Sequence, residues 1–236
     1  MDIVVLTGAG ISAESGLRTF RDSGGLWENH RIEDVATYSA WASHPEMVWR
    51  FYQARRRQLL EVQPNPAHHA LHQLEIIQNS GHFTLITQNV DNLHERAGSS
   101  NLIHMHGELC RLRCEKCEYI AEMMAPEHLQ EAFVCCPECK CERMRPHIVW
   151  FGEMPLQMHL IDAAVRSADL FLVIGSSGHV YPAAGLLDIA SSYGARCVGI
   201  NLEPPQNVGL FDEFLQGKAG DLLPEYVSSL QKMMEE

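Results

Sequence analysis

Seven of the eight cysteines in this 236-residue chain fall between Cys110 and Cys141. Within that stretch Cys114-Glu-Lys-Cys117 is followed, after eighteen residues, by Cys136-Pro-Glu-Cys139. Two such C-x2-C knuckles present four thiolates to one ion, the pattern of tetrahedral zinc. Four thiolates close the coordination shell, so the expected metal is one structural Zn2+ with no open position for water. Cys135 and Cys141 remain alternative partners for the second pair. Clustered thiols of this kind point to metal rather than disulfides in a reducing compartment.

Around the cysteines the sequence alternates. Short β-branched or apolar runs at Ile3–Thr7, Phe83–Thr87, Leu170–Ile174 and Cys197–Asn201 read as buried parallel strands. Helical stretches lie between them at Pro45–Glu61, Pro66–Gln78, Met158–Ala168 and Pro224–Met233. The expected fold class is α/β, a Rossmann-like doubly wound parallel sheet that binds ligands at the carboxyl ends of its strands. Two segments break the rhythm and read as insertions forming a smaller zinc-ribbon and helical domain. The expected boundaries are 1–27, 80–109 and 149–236 for the sheet, 28–79 for the helical insertion and 110–148 for the ribbon.

The first strand runs into "TGAGISAESG", a G-x-G-x-x-A with Gly8, Gly10 and Ala13. Backbone N–H groups and a helix start at such a place can hold a pyrophosphate, and glycine lets the backbone approach it. A dehydrogenase should continue with a helix and a second strand ending in an acid. Here "GLRTFRDSGGLW" reads instead as a long polar loop, one that closes over a cofactor consumed in the reaction. Two polar clusters follow other strands: Gln88, Asn89 and Asp91 in "TQNVDNLHERAG", and His106 in "HMHGE". Asn and Asp there also suit helix capping; a histidine's unperturbed pKa suits general-base work near neutrality.

A net charge of −12 with 18 Lys and Arg argues against a nucleic-acid surface, and the acidic ribbon would repel phosphates. A small molecule or a basic protein substrate fits better. No apolar run approaches the ~18 residues of a membrane span. The opening MDIVVLTGAG carries no basic region or cleavage pattern, so the expected location is cytoplasmic. The chain starts almost directly on a strand, which raises the expectation of a longer N-terminal form.

The stretch "WRFYQARRRQLL" sets three guanidiniums on one helix. At 100° per residue, Val48, Phe51, Tyr52, Leu59 and Val62 share a face, Arg55 falls inside it, Arg56 at its edge and Arg57 opposite. Only Arg55 is expected to point inward, where it needs an acceptor. That acceptor is either an acid of the chain or a group arriving with the substrate.

Taken together, "GAGISAESGLRTFRD", "TQNVDNLHERAG", "HMHGE", the paired knuckles, "RPHIVWFGE", "VIGSSGHVYPAA" and "NLE" resemble the sirtuin family of NAD-dependent protein lysine deacylases. The resemblance covers nearly the whole chain and is strongest to the bacterial CobB-type members. It implies that NAD is consumed, that the acyl oxygen attacks the nicotinamide ribose carbon, and that His106 is the general base. It implies nicotinamide, O-acyl-ADP-ribose and free lysine as products. Gly8, Ala9, Gly10, Ser12 and Arg21 would face the phosphates or the closing loop, and Phe20 the reacting ribose. Gln88 and Asn89 would contact the ribose, and Asp91 the nicotinamide carboxamide. Ser176, Ser177 and Asn201 would hold the adenosine half, with Ala13, Trp27, Gly175, Glu203 and Ala219 completing the cofactor side. Val149, Phe151, Gly152 and Glu153 would face His179 and Val180 across the bound peptide, taken up as an added strand.

"Tyr-x-x-Arg" at Tyr52 and Arg55 resembles the sirtuins that accept acyl groups ending in a carboxylate, with Arg55 pairing the carboxylate and Tyr52 donating a hydroxyl bond. The expected partners are therefore acetylated and succinylated lysine side chains of proteins, without direct nucleic-acid or membrane binding. Oligomeric state stays open, a monomer being the simplest case. Transfer of ADP-ribose to a protein, or a non-catalytic NAD-sensing docking module, are the competing readings.

Overall fold

The run Ile3–Thr7 forms β1, buried over its whole length, and every other apolar run named above also becomes a strand of the same sheet. The computed structural model describes residues 1–17, 26–27, 30–78, 81–123, 129, 132–205 and 207–235. After β1 come α1 (Ala9–Ala13), β2 (Leu26–Trp27), β3 (His30–Arg31), α2 (Ile32–Val35), α3 (Tyr38–Ser43), α4 (Pro45–Glu61) and α5 (Pro66–Ile77). Then follow β4 (Phe83–Thr87), α6 (Leu93–Ala97), β5 (Leu102–His104), β6 (Gly107–Arg113), β7 (Ile120–Glu122) and β8 (Arg145–Ile148). The chain ends with α7 (Met158–Ser167), β9 (Leu170–Ile174), α8 (Leu186–Ser192), β10 (Arg196–Asn201), β11 (Glu213–Gln216) and α9 (Ala219–Glu235).

Six strands form one parallel sheet in the order β11-β10-β9-β1-β4-β5. Strand order reverses beside β1: the chain first builds outward through β4 and β5, then returns to β9 on the other side. The crevice outside the carboxyl ends of β1 and β9 is therefore the topological switch point, where such sheets bind ligands. Alternation along β1 divides the core. Ile3 and Val5 pack with α5 and α9, whereas Val4 and Leu6 pack with α7 and α8.

A third core joins the two segments that broke the sequence rhythm. Trp41, Trp49, Phe51 and Tyr52 of the helical segment pack with Leu109, Leu112, Met144 and Trp150 from the ribbon and its exit. The ribbon itself is an antiparallel sheet in the order β7-β6-β8. No helix among the described residues is long and apolar enough to cross a membrane.

Three sequence expectations need correction. The last helix starts at Ala219, five residues before Pro224, which lies inside it. β11 was not expected; it is four half-buried or exposed residues paired on one side only, too short to carry a hydropathy pattern. Arg56 is as inward as Arg55: they are 3% and 8% exposed. The ribbon covers that side of α4 and supplies an acceptor, so Arg56 Nε donates to the Leu109 carbonyl at 2.6 Å and Nη1 to Gln53 Oε1 at 2.9 Å. Burial lowers the Arg56 pKa to about 10. Of the polar loop expected over residues 16–27, residues 18–25 lie outside the described residues and Leu26–Trp27 form β2.

Candidate active site

Gly8 and Gly10 are set by their neighbours across the switch point. A Cβ on Gly10 would stand 2.8 Å from both Cα and O of Gly175, and one on Gly8 would stand 2.7 Å from Gly175 O. The two loops instead touch through backbone bonds, Gly8 N to Ile174 O and Gly10 N to Gly175 O, each 2.9 Å. Gly175 itself has φ +63°, in the left-handed region that favours glycine. The sequence assigned these glycines to phosphate approach; close approach of β1's loop to β9's loop is an equally strict demand.

The loop after β4 delivers the next group. Asn89 Nδ2 donates to the Gly8 carbonyl and to Ser12 Oγ, both at 3.1 Å. Ser12 Oγ in turn donates to Asp91 Oδ2 at 3.0 Å. Asp91 Oδ1 accepts from Leu93 N at 3.1 Å, so Asp91 also braces the start of α6 from the position before the cap, which is Asn92. Asn89 does not cap. Burial pushes the Asp91 carboxyl upward, against the opposing hydrogen bonds from Leu93 and Ser12. Gln88 Nε2 donates to Ser176 Oγ at 2.8 Å, and Asn201 Nδ2 to the Ser176 carbonyl at 2.9 Å. The ends of β1, β4, β9 and β10 are thereby linked through side chains, some to one another and some to backbone carbonyls.

Beneath them runs a buried relay that the sequence did not flag. His94 Nε2 and Thr7 Oγ1 are 3.0 Å apart, Thr7 Oγ1 donates to Thr87 Oγ1 at 2.9 Å, and Thr87 Oγ1 accepts from Asn89 N at 3.0 Å. Threonines ending two strands look like ordinary β-formers in a sequence, so nothing there distinguishes them.

His106 follows β5. Its Nδ1 lies 3.0 Å from the Gln88 carbonyl, which can only accept, so Nδ1 carries the hydrogen and Nε2 the lone pair. Burial lowers its pKa, the bond to Gln88 working the other way. A lone pair on Nε2 beside the Gln88, Asn89 and Asp91 loop is what a general base requires.

The peptide-side residues sit past β8. Val149 N donates to the His106 carbonyl at 2.9 Å, and Phe151 N to Ala36 O at 3.0 Å. Phe151 and Gly152 are exposed, as is His179, while Val180 is half-buried. Glu153 is engaged within the protein: Arg145 reaches Oε1 at 2.6 Å and Oε2 at 2.8 Å, and Arg113 reaches Oε1 at 3.2 Å. Tyr52 is fully buried, and its Oη accepts from Trp150 Nε1 at 2.9 Å. Arg55 instead lines an open cavity of about 890 Å³ with His30, His44, Arg50, Phe51 and Gln58. In the Trp150 bond Tyr52 is the acceptor, so the bond does not use the tyrosine's O–H hydrogen.

Of the remaining cofactor-side expectations, Ala9 is exposed and Ala13 half-buried on α1. Ser177 is half-buried and Glu203 exposed. Ala219 is 4% exposed within the core beneath the sheet. Phe20, Arg21 and the side chain of Trp27 lie outside the described residues.

Cys114, Cys117, Cys136 and Cys139 come together, all four Sγ atoms within 4.8 Å of one another. Cys114–Cys139 and Cys117–Cys136 sulfur separations are 3.5 and 3.6 Å. Zinc–sulfur bonds of ~2.3 Å set tetrahedral sulfur edges of roughly 3.8 Å, so the group fits a zinc ion. The knuckles match each other: Glu118 N bonds Cys114 O, Lys140 N bonds Cys136 O, and both residues have positive φ. Cys135 and Cys141 donate their thiols to the Glu142 and Arg143 carbonyls instead.

The Sir2 family model matches residues 8–182, from the glycine loop through the segment after β9. The chain belongs to the Sir2 family. A relative from Pasteurella multocida (strain Pm70), an NAD-dependent protein deacylase, is 52% identical over 96% of each chain. One from Escherichia coli (strain K12), of the same name, is 51% identical over 98% of this chain and 82% of its own. Among solved structures, a Sir2 homolog–NAD complex superposes with a TM-score of 0.90 at 40% identity, covering 98% of this chain and 90% of that one. Sir2Af2 bound to a myristoylated histone peptide gives 0.79 at 32% identity, covering 99% and 92%.

Proposed function

We propose that this Sir2-family chain is an NAD-dependent protein lysine deacylase that removes acetyl and succinyl groups. The observation that carries the reading is the convergence at the switch point: His106 bonds through Nδ1 to the β4 loop, whose Asn89 and Asp91 are tied to Gly8 and Ser12 of the glycine turn. Relatives at about half identity named NAD-dependent protein deacylase support it. In this reading the helical segment through α4 and residues 110–148 form a smaller lobe held by one structural zinc on Cys114, Cys117, Cys136 and Cys139, whereas α5, expected in that lobe, packs on the sheet.

Bound NAD supplies an electrophilic ribose carbon and nicotinamide as leaving group. His106 holds its lone pair at Nε2 to take a proton from a ribose hydroxyl. Gln88 and Asn89 orient the ribose, Asp91 with Ser12 orients the nicotinamide side, and Ser176, Ser177 and Asn201 hold the adenosine half. Phe20, Arg21, Trp27, Gly175, Glu203 and Ala219 belong to the cofactor side by family resemblance alone; buried Ala219 offers a ligand no side-chain surface. The acylated peptide adds its backbone between Val149–Gly152 and His179–Val180. Glu153 supports this edge from behind rather than touching substrate.

Arg55 is the residue assigned to a substrate carboxylate, since it lines the open cavity beside α4. Tyr52, held in place by the bond its oxygen accepts from Trp150, directs its O–H to the same acyl carboxylate in this reading. Replacing Arg55 with Met should reduce desuccinylation at least tenfold more than deacetylation, the scale of one charge-assisted bond at ~1.5–3 kcal/mol. Equal loss of both activities would return Arg55 to a structural role.

A further inference from the structure

The end of β5 and its exit carry two histidines on alternate positions, His104 and His106, and only the second matches the expected base. Both rings grip the same loop. His106 Nδ1 lies 3.0 Å from the Gln88 carbonyl and His104 Nδ1 lies 3.2 Å from the next carbonyl, that of Asn89. Carbonyl oxygens only accept, so each Nδ1 carries a hydrogen.

The rings differ at the other nitrogen. His104 Nε2 is 2.8 Å from Glu95 Oε1, and a carboxylate oxygen also only accepts. Both nitrogens of His104 therefore face acceptors, and imidazolium is the one protonation state that satisfies both. The groups around it agree. Glu95 of α6, Glu108 of β6 and Asp91 of the β4 loop are acidic. The Arg111 guanidinium pairs with Glu108 at 2.8 Å and Glu122 at 3.7 Å. His147 of β8, opposite Glu108 in register, has its pKa lowered to about 4 and is neutral near pH 7. Burial opposes the charge on His104, but the bond and field of Glu95 outweigh it.

We infer that His104 is a positioning residue for the deacylation reaction: as an imidazolium clamped by Glu95, it fixes the Asn89 carbonyl while His106 stays neutral as the base. Holding that carbonyl holds the Asn89 amide against Gly8 O and Ser12 Oγ, and through Ser12 the Asp91 carboxylate. The two histidines of one short motif thus work in opposite charge states. Glu95, His104 and Glu108 also bring three ligand atoms within 4.8 Å, an arrangement open to a divalent cation. Arg111 already compensates Glu108, and a proton on Nε2 satisfies what remains.

The charge assignment is independent of the proposed function, whereas its catalytic consequence rests on it, so the test has two readouts. Ring-nitrogen NMR of 15N-histidine protein, with His104→Asn to assign the signals, reads protonation directly. His104 should be doubly protonated at pH 7 and His106 neutral; in Glu95→Gln, His104 should lose its Nε2 proton by pH 8. Kinetically, Glu95→Gln should raise KM for NAD about tenfold between pH 6 and pH 8, the scale of weakening a charge-assisted bond to a neutral one, with kcat within about twofold. The wild type should hold its KM over that range. A neutral His104 in the wild type at pH 7 would overturn the inference. So would a saturable shift of its Nε2 signal on adding Zn2+ to protein with one zinc already bound, or identical pH dependence of KM in both proteins. Absence of NAD turnover in the wild type would overturn the positioning role together with the functional reading, while the NMR signals would still decide the charge state.

Discussion

Arg145 holds Glu153 with both terminal nitrogens, at 2.6 and 2.8 Å, while its guanidinium carbon stands 3.5 Å from the Trp150 ring centroid. The pair turns the chain at the exit of the ribbon. Glu153 also accepts from Trp150 N at 2.9 Å, and Trp150 in turn reaches Tyr52 on α4. Removing Arg145 leaves a half-buried carboxylate with Arg113 as its remaining guanidinium. Arg145→Met should cost about 3 kcal/mol, the scale of breaking a buried pair, and lower affinity for acyl-peptide more than for NAD. Urea unfolding and separate titrations of the two ligands check this; a loss confined to NAD would contradict it.

Gly10 tests the contact between the two nucleotide-side loops. In Gly10→Ala the new methyl would meet Gly175 backbone at 2.8 Å, so one loop must shift. Overpacking of this kind costs ~1–3 kcal/mol, and NAD affinity should fall more than global stability suggests. Isothermal titration with NAD beside a thermal melt separates the two effects. Unchanged NAD affinity would mean that the loops move apart at no cost to the site.

The cysteines divide into four ligands and the rest. Cys136→Ser should lose the zinc and the cooperative melting of the ribbon, because a structural zinc contributes folding free energy directly. Cys135→Ser and Cys141→Ser should each retain one zinc per chain, measured by elemental analysis. Loss of zinc in either would move the second knuckle onto a neighbouring cysteine.

Stability should fall in mild acid. Burial, first, holds the His68 pKa near 4, with neighbouring His69 adding to it, and the His147 pKa is held near 4 by burial and nearby guanidiniums. The unfolded chain, with ordinary histidines near 6.5, takes up protons before the folded one. The stability these rings contribute is complete above pH 6.5 and is lost as pH falls toward about 4. His104, whose folded pKa is raised, acts in the opposite sense: its contribution is present below 6.5 and lost as pH rises through its folded pKa. His94 and His106, also lowered by burial, act in the same sense as His68 and His147, so together these rings outweigh His104. Unfolding free energy from urea titrations should drop between pH 7.5 and 5.5 by at least roughly 1 kcal/mol, at ~1.4 kcal/mol per ring. A flat or rising value would contradict the burial of these rings as neutral groups.

The sheet and ribbon were legible in the sequence because each is written in a short-range code. Ile3–Thr7, Phe83–Thr87 and Leu170–Ile174 are buried on both faces and so read as continuous apolar runs. The paired knuckles state their own geometry, and the four expected cysteines are the four that meet. Residues whose role depends on what packs against them were not legible. Helical projection placed Arg56 at the edge of a stripe because it cannot know that β6 crosses that side and offers the Leu109 carbonyl. Tyr52 and Arg55, one turn apart, were legible as a pair, but not that Trp150 Nε1 would donate to the tyrosine's oxygen from another element. His104 was passed over beside His106 because its partner, Glu95, lies on another element.

The most direct measurement is mass spectrometry of an acetyl-lysine peptide incubated with NAD and either wild type or His106→Ala. The wild type should form free lysine, nicotinamide and O-acetyl-ADP-ribose in equal amounts, and the variant should lose turnover by at least 10²-fold, the scale of a general base. Acyl loss without NAD, nicotinamide release without deacylation, or full activity in His106→Ala would each contradict the account.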